Sequence, residues 1–332
     1  MAAFGTVFMP QMAITKFENG NWTDTTTVSS DSISIHPGAH VLHYSSTCFE
    51  GLKAFKHDDG GVYIFRMDQN IKRFQQSSEL LKLPSFDPQQ VEEMILELVK
   101  QYADEVPAPP GSMYIRPTHV GTEASIGKAA NPSLSSLLYI LLSPVGDYFA
   151  GGAKPLRLLL DETGMRCAPH MGMIKSGGNY ASALGPILAA KDEVQADQIL
   201  FCPNGDVQET GAANFILIDG NEIITKGLDS SFLHGVTRAS ILTLAKDLGM
   251  TVSERDITVS ELLERSAKPG VEAALSGTAA VLTPVGTFIH NDKEYTVGSG
   301  QAGETTMKLR QALNDIQWGK AEDKHNWLVK VL

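Results

Sequence analysis

Cysteine is scarce in this chain of 332 residues, which contains only Cys48, Cys167 and Cys202. The three cysteines lie far apart, their number is odd, and no CxxC pair occurs. Small secreted proteins that rely on disulfides instead carry an even set of closely spaced cysteines. The sequence therefore predicts reduced thiols in a cytoplasmic protein.

Long apolar runs are absent as well. A stretch such as LLYILL at 137–142 has the length of a strand, whereas a membrane-spanning helix needs about 20 apolar residues. The start of the chain, MAAFGTVFMPQMAITKF, shows no basic segment ahead of an apolar one, so we expect no secretory signal. The formal net charge of −11 argues against partners such as nucleic acid or anionic membranes.

Common nucleotide and metal motifs are also missing. The chain has no GxGxxG after a strand, no GxxxxGK[ST], and no HExxH among its nine histidines. We therefore predict no metal site. Its hydrophobic content of 42% and charged content of 20% are those of a globular protein, and its length suits about two domains.

The pattern of the chain indicates a mixed α/β (α+β) fold in two domains. Strands are predicted over 61–67, 112–121, 134–145 and 156–160, and a hairpin over 214–225. Helices are predicted over 68–83, 87–106, 177–194, 235–250 and 304–319, with Asp68 as an N-cap and Gly249 as a C-cap. A glycine-rich segment at 147–155 is the predicted linker between a smaller N-terminal domain, 1–146, and a larger C-terminal domain, 156–332.

The stretch MIKSGGNY contains the first chemical candidate, Lys175. A solvated lysine beside a turn is the ordinary interpretation. Its nearly uncharged surroundings instead favour partial desolvation, which makes an amine a better nucleophile. The phenol of Tyr180 could hydrogen-bond an anionic oxygen, and a lysine with a tyrosine fits Schiff-base chemistry.

A second candidate, Glu209, lies among small residues in NGDVQETGAANF. It could be a solvated loop carboxylate. Alternatively, the small residues let a flat ligand lie on the backbone while Glu209 reaches the edge of the ligand. A carboxylate beside a pyridine nitrogen keeps that nitrogen protonated and makes the ring an electron sink.

Three further segments could bind phosphate. In LHGVTRAS, a glycine turn leads into a helix, and the N–H groups of Val236 and Thr237 could bind an anion, although simple N-capping by Thr237 explains the pattern equally well. The segment LSGTAAVLTP again combines small residues with a hydroxyl. Arg73 could reach a phosphate, although an exposed helical arginine is the usual case. Together, the amine, phenol, carboxylate and phosphate sites meet the needs of pyridoxal 5′-phosphate (PLP).

With these residues in place, the chain resembles the class IV, or fold-type IV, PLP-dependent aminotransferases, and specifically the branched-chain amino acid aminotransferases. The resemblance runs from HPGAHVLHYSSTCFEGLKAF to the C-terminus. It rests on motifs in the family's order: YIRP at 114–117, KSGGNY at 175–180, ETGAAN at 209–214, HGVTR at 234–238 and SGTAA at 276–280.

The resemblance implies a role for each matching residue. Lys175 matches the lysine that binds the cofactor covalently and moves a proton between Cα and C4′, Tyr180 the partner of O3′, and Glu209 the partner of the pyridine nitrogen. The residues that match phosphate ligands are Arg73, Val236, Thr237 and Thr278. The positions that match the substrate pocket are Tyr44, Phe49, Tyr114, Arg116, Tyr148, Ala279 and Ala280. Among them, Arg116 resembles the arginine that accommodates the second carboxylate of glutamate, and the backbone at Ala279 and Ala280 the site of the α-carboxylate.

The resemblance also implies an activity and an assembly. It implies the two-domain fold of D-amino acid aminotransferase, with PLP in the C-terminal domain. The activity is a ping-pong transfer of the amino group from L-leucine, L-isoleucine or L-valine to 2-oxoglutarate, giving the branched 2-oxo acid and L-glutamate. It also implies a homodimer or a higher homo-oligomer with active sites at the dimer interface. In the loop at 124–133, Lys128 stands where relatives often carry an apolar residue.

Several alternatives stay open from the residues themselves. A D-amino acid transaminase, an R-selective amine transaminase or aminodeoxychorismate lyase would share the class IV motifs. A cofactor-free aldolase could use Lys175 directly. A phosphate-binding protein without catalytic activity would need only the helix N-terminus.

Overall fold

The structure, a computed structural model, describes residues 4–146 and 154–332. The chain forms two compact units. The described part of the first unit consists of 4–146, Ile174–Gly177 and Ile316–Leu332, and that of the second unit of 154–173 and Gly178–Asp315. Two segments that lie within the predicted C-terminal domain therefore belong to the first unit.

The strands follow in chain order. They are β1 (Gln11–Glu18), β2 (Asn21–Trp22), β3 (Thr26–Ser29), β4 (Thr47–Phe49), β5 (Leu52–Lys56), β6 (Val62–Phe65), β7 (Ser112–Gly121), β8 (Ser136–Val145), β9 (Leu156–Asp161), β10 (Gln198–Phe201), β11 (Asn214–Asp219), β12 (Glu222–Thr225), β13 (Thr251–Glu254), β14 (Glu272–Gly277), β15 (Val281–His290), β16 (Lys293–Thr296) and β17 (Leu328–Lys330).

The helices are α1 (His40–Tyr44), α2 (Met67–Leu80), α3 (Pro88–Gln101), α4 (Gly177–Val194), α5 (Val236–Asp247), α6 (Val259–Ser266) and α7 (Glu304–Gln317). Short 3-10 turns lie at Ala103–Glu105 and Pro203–Gly205. The mixed α/β fold predicted from the sequence is confirmed, and each predicted helix and strand has its counterpart.

The first unit is built on an antiparallel sheet with the strand order β17-β6-β5-β7-β8-β1-β2. Additional pairing joins β3 to β1 and β4 to β7. The helices α2 and α3 bury their apolar faces in the same core as β5 to β8. In α3, Pro88 occupies the first turn and the side chain of Asp87 accepts the Gln89 N–H. Buried residues then recur every three or four positions, because that spacing places them on one helix face.

The start of α2 differs from the prediction. The helix begins at Met67, directly after β6, so Asp68 lies inside the first turn and the predicted N-cap was wrong. Arg66 occupies the capping position with a left-handed φ of 52°. Its N–H donates to the Trp327 carbonyl (2.7 Å), and its guanidinium lies 5.1 Å from the centre of the Trp327 ring. A tertiary contact with the C-terminal segment therefore sets the start of the helix.

The C-terminal strand explains why the end of the chain belongs to the first unit. Strand β17 pairs antiparallel with β6, and Val329 lies opposite Ile64. Trp327 packs edge-on against Phe65 with ring centres 5.6 Å apart. These contacts close the edge of the sheet with residues that are the last to be synthesised.

The second unit is built on a mixed sheet with the strand order β10-β9-β15-β14-β11-β12-β13, and β16 pairs with β15. Parallel pairs join β9 to β10, β9 to β15 and β12 to β13. Helix α4 connects β9 to β10, and α5 connects β12 to β13, because parallel neighbours need a crossover. The predicted hairpin is confirmed in β11 and β12, as is the left-handed Gly249 (φ 78°) after α5.

The described cysteines are all free thiols, in agreement with the sequence. Cys48 and Cys202 are fully buried. Burial raises the pKa of the Cys48 thiol to about 12, and burial also raises the pKa of Cys202 well above its ordinary value. These thiols are therefore poor nucleophiles. Among the described residues, no helix is both long and apolar enough to cross a membrane.

A polar residue, His119, lies in the core of the first unit. It is fully buried, and its two ring nitrogens are hydrogen-bonded to the hydroxyls of Ser78 (3.0 Å) and Ser136 (2.9 Å). The rings of Phe74 and Phe86 pack around it. Burial lowers the pKa of His119 from 6.5 to about 3, because charging the ring in this apolar site is unfavourable.

The first testable prediction concerns acid stability. Between pH 6.5 and 3 the unfolded chain binds a proton at His119 that the folded chain does not. The stabilisation is therefore complete above pH 6.5 and is lost as the pH falls. The expected slope is about 1.4 kcal/mol of unfolding free energy per pH unit from this residue. Urea unfolding at several pH values should show a slope smaller by this amount in H119Q. H36Q, at an exposed histidine, should keep the wild-type slope, and an unchanged slope in H119Q would contradict the assignment.

Candidate functional site

Lys175 lies in the first unit, in an irregular segment immediately before α4. Its backbone is held on both sides: its N–H donates to Ser77 Oγ (3.1 Å), and its carbonyl accepts the Phe49 N–H (3.0 Å). The following residue, Ser176, forms a β-bridge with Cys48. The lysine is half-buried, as its uncharged sequence context suggested. The amine therefore extends from a fixed backbone position.

The ring of Phe49 lies beside two cations in the first unit. The Lys175 Nζ is 5.2 Å from the ring centre, and the Arg116 guanidinium carbon is 4.7 Å from it. A cation at this distance is attracted by the negative face of an aromatic ring. The structure thus brings together three of the predicted site residues around one apolar surface.

Arg116 is held by Tyr114 on the same strand, β7. Its Nη2 donates to the Tyr114 hydroxyl (3.1 Å), while its Nε is buried and has no hydrogen-bond partner among the described residues. A Cβ added at Gly51 would lie 1.9 Å from the Tyr114 hydroxyl. Glycine at 51 therefore gives the phenol its place against the backbone. The buried donor of Arg116 is suited to an additional acceptor.

Arg73, a predicted phosphate ligand, forms a buried ion pair in the first unit. Its Nε and Nη2 donate to the two carboxylate oxygens of Glu50 at 2.6 and 2.8 Å. Asn70 and the Gly51 N–H also donate to Glu50. Burial alone would raise the pKa of Glu50, but the charge and hydrogen bonds of Arg73, with the nearby charge of Lys175, hold it below its usual range. Glu50 is thus a fixed anion close to both cations.

The remaining predicted pocket residues of the first part of the chain lie at a loop or outside the description. The hydroxyl of Tyr44 on α1 donates to the Ile126 carbonyl, in the loop at 124–133. Lys128 of the same loop forms an ion pair with Glu123. Its position is therefore fixed within its own chain. Tyr148 lies outside the described residues.

Glu209 belongs to the second unit and is almost completely buried. Its carboxylate accepts hydrogen bonds from the Leu233 N–H (2.9 Å) and Asn214 Nδ2 (3.0 Å). It also forms an ion pair with Arg166, whose Nη1 is 2.8 Å away. The exposed fraction of each side chain in this pair is only 2%. Three donors, one of them a cation, stabilise the charged form of the carboxylate.

Arg166 connects Glu209 to Tyr180. Its Nε donates to the Gly211 carbonyl (3.2 Å), and its guanidinium carbon lies 5.6 Å from the centre of the Tyr180 ring. The Arg166 carbonyl accepts the hydroxyl of Ser182 on α4. Two predicted cofactor residues, Tyr180 and Glu209, are thus linked through one buried arginine.

The network of Glu209 extends to the N-terminus of α5. Asn214 Nδ2 also donates to the Leu233 carbonyl (2.8 Å), and a Cβ added at Gly235 would lie 2.0 Å from Asn214 Oδ1. Gly235 is the N-cap of α5 and carries no side-chain cap. Val236 and Thr237 follow in the first turn, where N–H groups point out of the helix.

The last predicted segment forms the turn between β14 and β15. Thr278, Ala279 and Ala280 connect Gly277 to Val281, which pair across the hairpin. All three turn residues are half-buried. Val281 adopts a left-handed φ of 61°, which turns the backbone sharply. A short hydroxyl-bearing turn of this kind offers N–H groups to an anion.

The sequence missed Arg166, Glu50 and Ser77. A signal existed for Arg166, because it is the one arginine in the nearly uncharged segment TGMRCAPHMGMI, and a buried arginine needs an acidic partner. No comparable signal marked Glu50 or Ser77. Their roles depend on contacts 23 and 98 residues apart in sequence.

Comparisons with known proteins agree with this arrangement. The model of the amino-transferase class IV family matches residues 47–288. The chain is 37% identical to branched-chain-amino-acid transaminase 1 of Bacillus subtilis, covering 99% of this chain and 94% of the relative. It is 38% identical to a probable branched-chain-amino-acid aminotransferase of Streptomyces coelicolor, covering 98% and 91%.

A solved structure shows the same fold. The branched-chain amino acid aminotransferase of T.th. with pyridoxamine 5′-phosphate has a TM-score of 0.78 and 27% identity, covering 96% of this chain and 98% of its own. That protein has also been solved with N-(5′-phosphopyridoxyl)-L-glutamate and with 4-methylvaleric acid. The chain therefore belongs to the class IV aminotransferases and, within them, to the branched-chain amino acid aminotransferase group.

Proposed function

We propose that this protein transfers the amino group of L-leucine, L-isoleucine or L-valine to 2-oxoglutarate, with Lys175 as the catalytic residue. The observation that carries this proposal is the ring of Phe49, which lies beside both the Lys175 amine and the Arg116 guanidinium. It supplies a nucleophile, an apolar surface and a cation within one unit. An enzyme that alternates between an apolar amino acid and glutamate needs all three.

The cofactor of the protein is PLP, and the chemistry of the described donors fits it. The first unit provides the lysine amine for the aldehyde carbon and Arg73 for a phosphate. The second unit provides Glu209, kept charged by its donors, for a pyridine nitrogen. For the phosphate, the second unit adds the N–H groups of the first turn of α5 and the hydroxyls of Thr237 and Thr278. When bound, PLP delocalises the negative charge that develops on the substrate Cα.

Two residues act on the cofactor ring in this proposal. Glu209 holds the pyridine nitrogen in its protonated form, since Arg166 fixes the carboxylate in place. Tyr180 donates its hydroxyl to the ring oxygen O3′, and the Arg166 guanidinium supports the Tyr180 ring. The amine of Lys175 removes the proton from the substrate Cα and delivers it to C4′ of the cofactor.

The substrate itself contacts the remaining predicted residues. Tyr44, Phe49, Tyr114 and Tyr148 form the apolar and aromatic wall for the branched side chain. Arg116, whose buried Nε has no partner among the described residues, binds the second carboxylate of glutamate or 2-oxoglutarate. The backbone at Ala279 and Ala280 binds the α-carboxylate. A relative solved both with N-(5′-phosphopyridoxyl)-L-glutamate and with 4-methylvaleric acid supports this dual use of one pocket.

The first test of this proposal replaces the lysine. K175A should abolish transamination between L-leucine and 2-oxoglutarate, because the protein loses both the amine that holds the cofactor and the group that moves the proton. Borohydride reduction of the wild type should fix the cofactor on Lys175, as peptide mass spectrometry would show. K191A, at an exposed lysine of α4, is the control and should remain active. A K175A protein with near-wild-type turnover would refute the assignment, and turnover of D-alanine in place of L-leucine would favour a D-amino acid transaminase.

The second test separates the two substrates. R116Q should lower kcat/KM for 2-oxoglutarate by about 10- to 100-fold, because charged hydrogen bonds to the second carboxylate are lost. The half-reaction with L-leucine, which has no second carboxylate, should change by less than about threefold. Single-turnover absorbance of the cofactor measures each half separately. R157Q, at a surface ion pair of the second unit, is the control. Equal losses for both substrates would show that Arg116 only supports the pocket.

The third test concerns assembly and location. We propose a homodimer, or a higher homo-oligomer built from it, with active sites at the interface, in the cytoplasm. Leu42, Ile126 and Leu134 support the dimer, since these large apolar side chains of the first unit are 60%, 69% and 63% exposed. The free thiols support the location. Protein from the cytoplasmic fraction should have a native mass of twice the chain mass or an even multiple of it, by light scattering. A monomer there, or recovery only from another fraction, would contradict the respective proposal.

A further inference from the structure

The catalytic lysine lies outside every helix and strand, so its position depends on contacts made by its backbone. The Phe49 N–H donates to the Lys175 carbonyl, and the Lys175 N–H donates to the hydroxyl of Ser77. The first contact is an ordinary interaction between two backbones. The second contact comes from a side chain, so a substitution can remove it without changing the backbone of either partner.

Ser77 is completely buried on α2. It follows Arg73 by four residues, so both lie on the same face of the helix. Serine within a helix often hydrogen-bonds a carbonyl of the preceding turn. Here the Ser77 hydroxyl instead accepts an N–H from a residue 98 positions later in the chain. Helix α2 is anchored in the core of the first unit by Phe74, so the hydroxyl has a rigid base.

We propose that Ser77 is a positioning residue for Lys175. Its hydroxyl fixes the peptide plane before the lysine, while the Phe49 N–H fixes the plane after it. Together they hold the lysine Cα, from which the four-carbon side chain carries the amine toward the cofactor. Misplacing a reacting group by about 1 Å can lower the rate by about 100-fold. The inference rests on the proposed role of Lys175 in the reaction.

The adjacent serine supplies a matched control. Ser78 is equally buried on the same helix, and its hydroxyl bonds to His119 (3.0 Å) and lies 3.2 Å from Cys48 Sγ. S78A therefore removes a buried hydroxyl from the same helix and leaves the Ser77–Lys175 hydrogen bond in place. A second pair, S77T and S77V, keeps the size and shape of the side chain equal and differs only in the hydroxyl.

The experiment compares S77A, S77T, S77V and S78A as PLP-loaded proteins. Hydrogen exchange of the Lys175 amide should be faster in S77A and S77V than in the wild type, and unchanged in S78A. In the transamination of L-leucine, kcat should fall by about 10- to 100-fold in S77A and S77V, with KM within about threefold. S77T should restore much of the kcat that S77V loses, and S78A should stay near the wild type.

Two outcomes would overturn the proposal. Equal losses of kcat in S77A and S78A would show that both hydroxyls merely support the packing of α2. Wild-type kcat in S77A, or equal kcat in S77T and S77V, would show that the hydrogen bond does not position the amine. If S77A does not fold, the comparison of S77T with S77V decides alone.

The proposed function is tested separately by the wild-type rate with L-leucine and 2-oxoglutarate. If that rate is zero, the Ser77 proposal is still tested by the amide exchange and by the rate at which cofactor-free protein attaches PLP to Lys175. S77V should attach PLP more slowly than S77T, and equal attachment rates would overturn the proposal.

Discussion

A buried arginine paired with a buried glutamate organises the candidate site in each unit: Arg73 with Glu50 in the first and Arg166 with Glu209 in the second. Removing one partner of such a pair leaves an uncompensated charge, at a cost of about 3–5 kcal/mol. The neighbouring groups are arranged around these charges, with Asn70 beside Glu50 and Asn214 beside Glu209. Each pair presents a fixed charge at an unchanging position, as a charged cofactor requires.

Much of the fold could be predicted from the sequence, because local patterns determine helices and hairpins. The apolar spacing of α3 and the Asp-Gly turn between β11 and β12 are examples. The predicted roles of Lys175, Glu209 and Tyr180 came from motif order, and the structure places Glu209 and Tyr180 around one arginine. The family and the cofactor predicted from these motifs agree with the comparisons.

What the sequence missed depends on contacts between distant segments. The start of α2 follows from the contact of Arg66 with Trp327, which no local pattern shows. The anchoring of Lys175 by Ser77 and the burial of His119 likewise need the folded sheet and helix. Arg166 is different, since its isolation in an uncharged segment did indicate a buried cation. The identity of its partner, 43 residues later, was the part that needed the structure.

The pairing of β17 with β6 has a consequence for synthesis in the cell. A ribosome delivers the strands of the first unit early, but the edge strand that completes its sheet is delivered last. The segment that carries Lys175 also arrives only after the first sheet is otherwise translated. The edge of β6 therefore stays open to other chains until synthesis ends, which is the condition that favours aggregation of nascent protein. The second unit, whose strands are consecutive in the chain, can fold first.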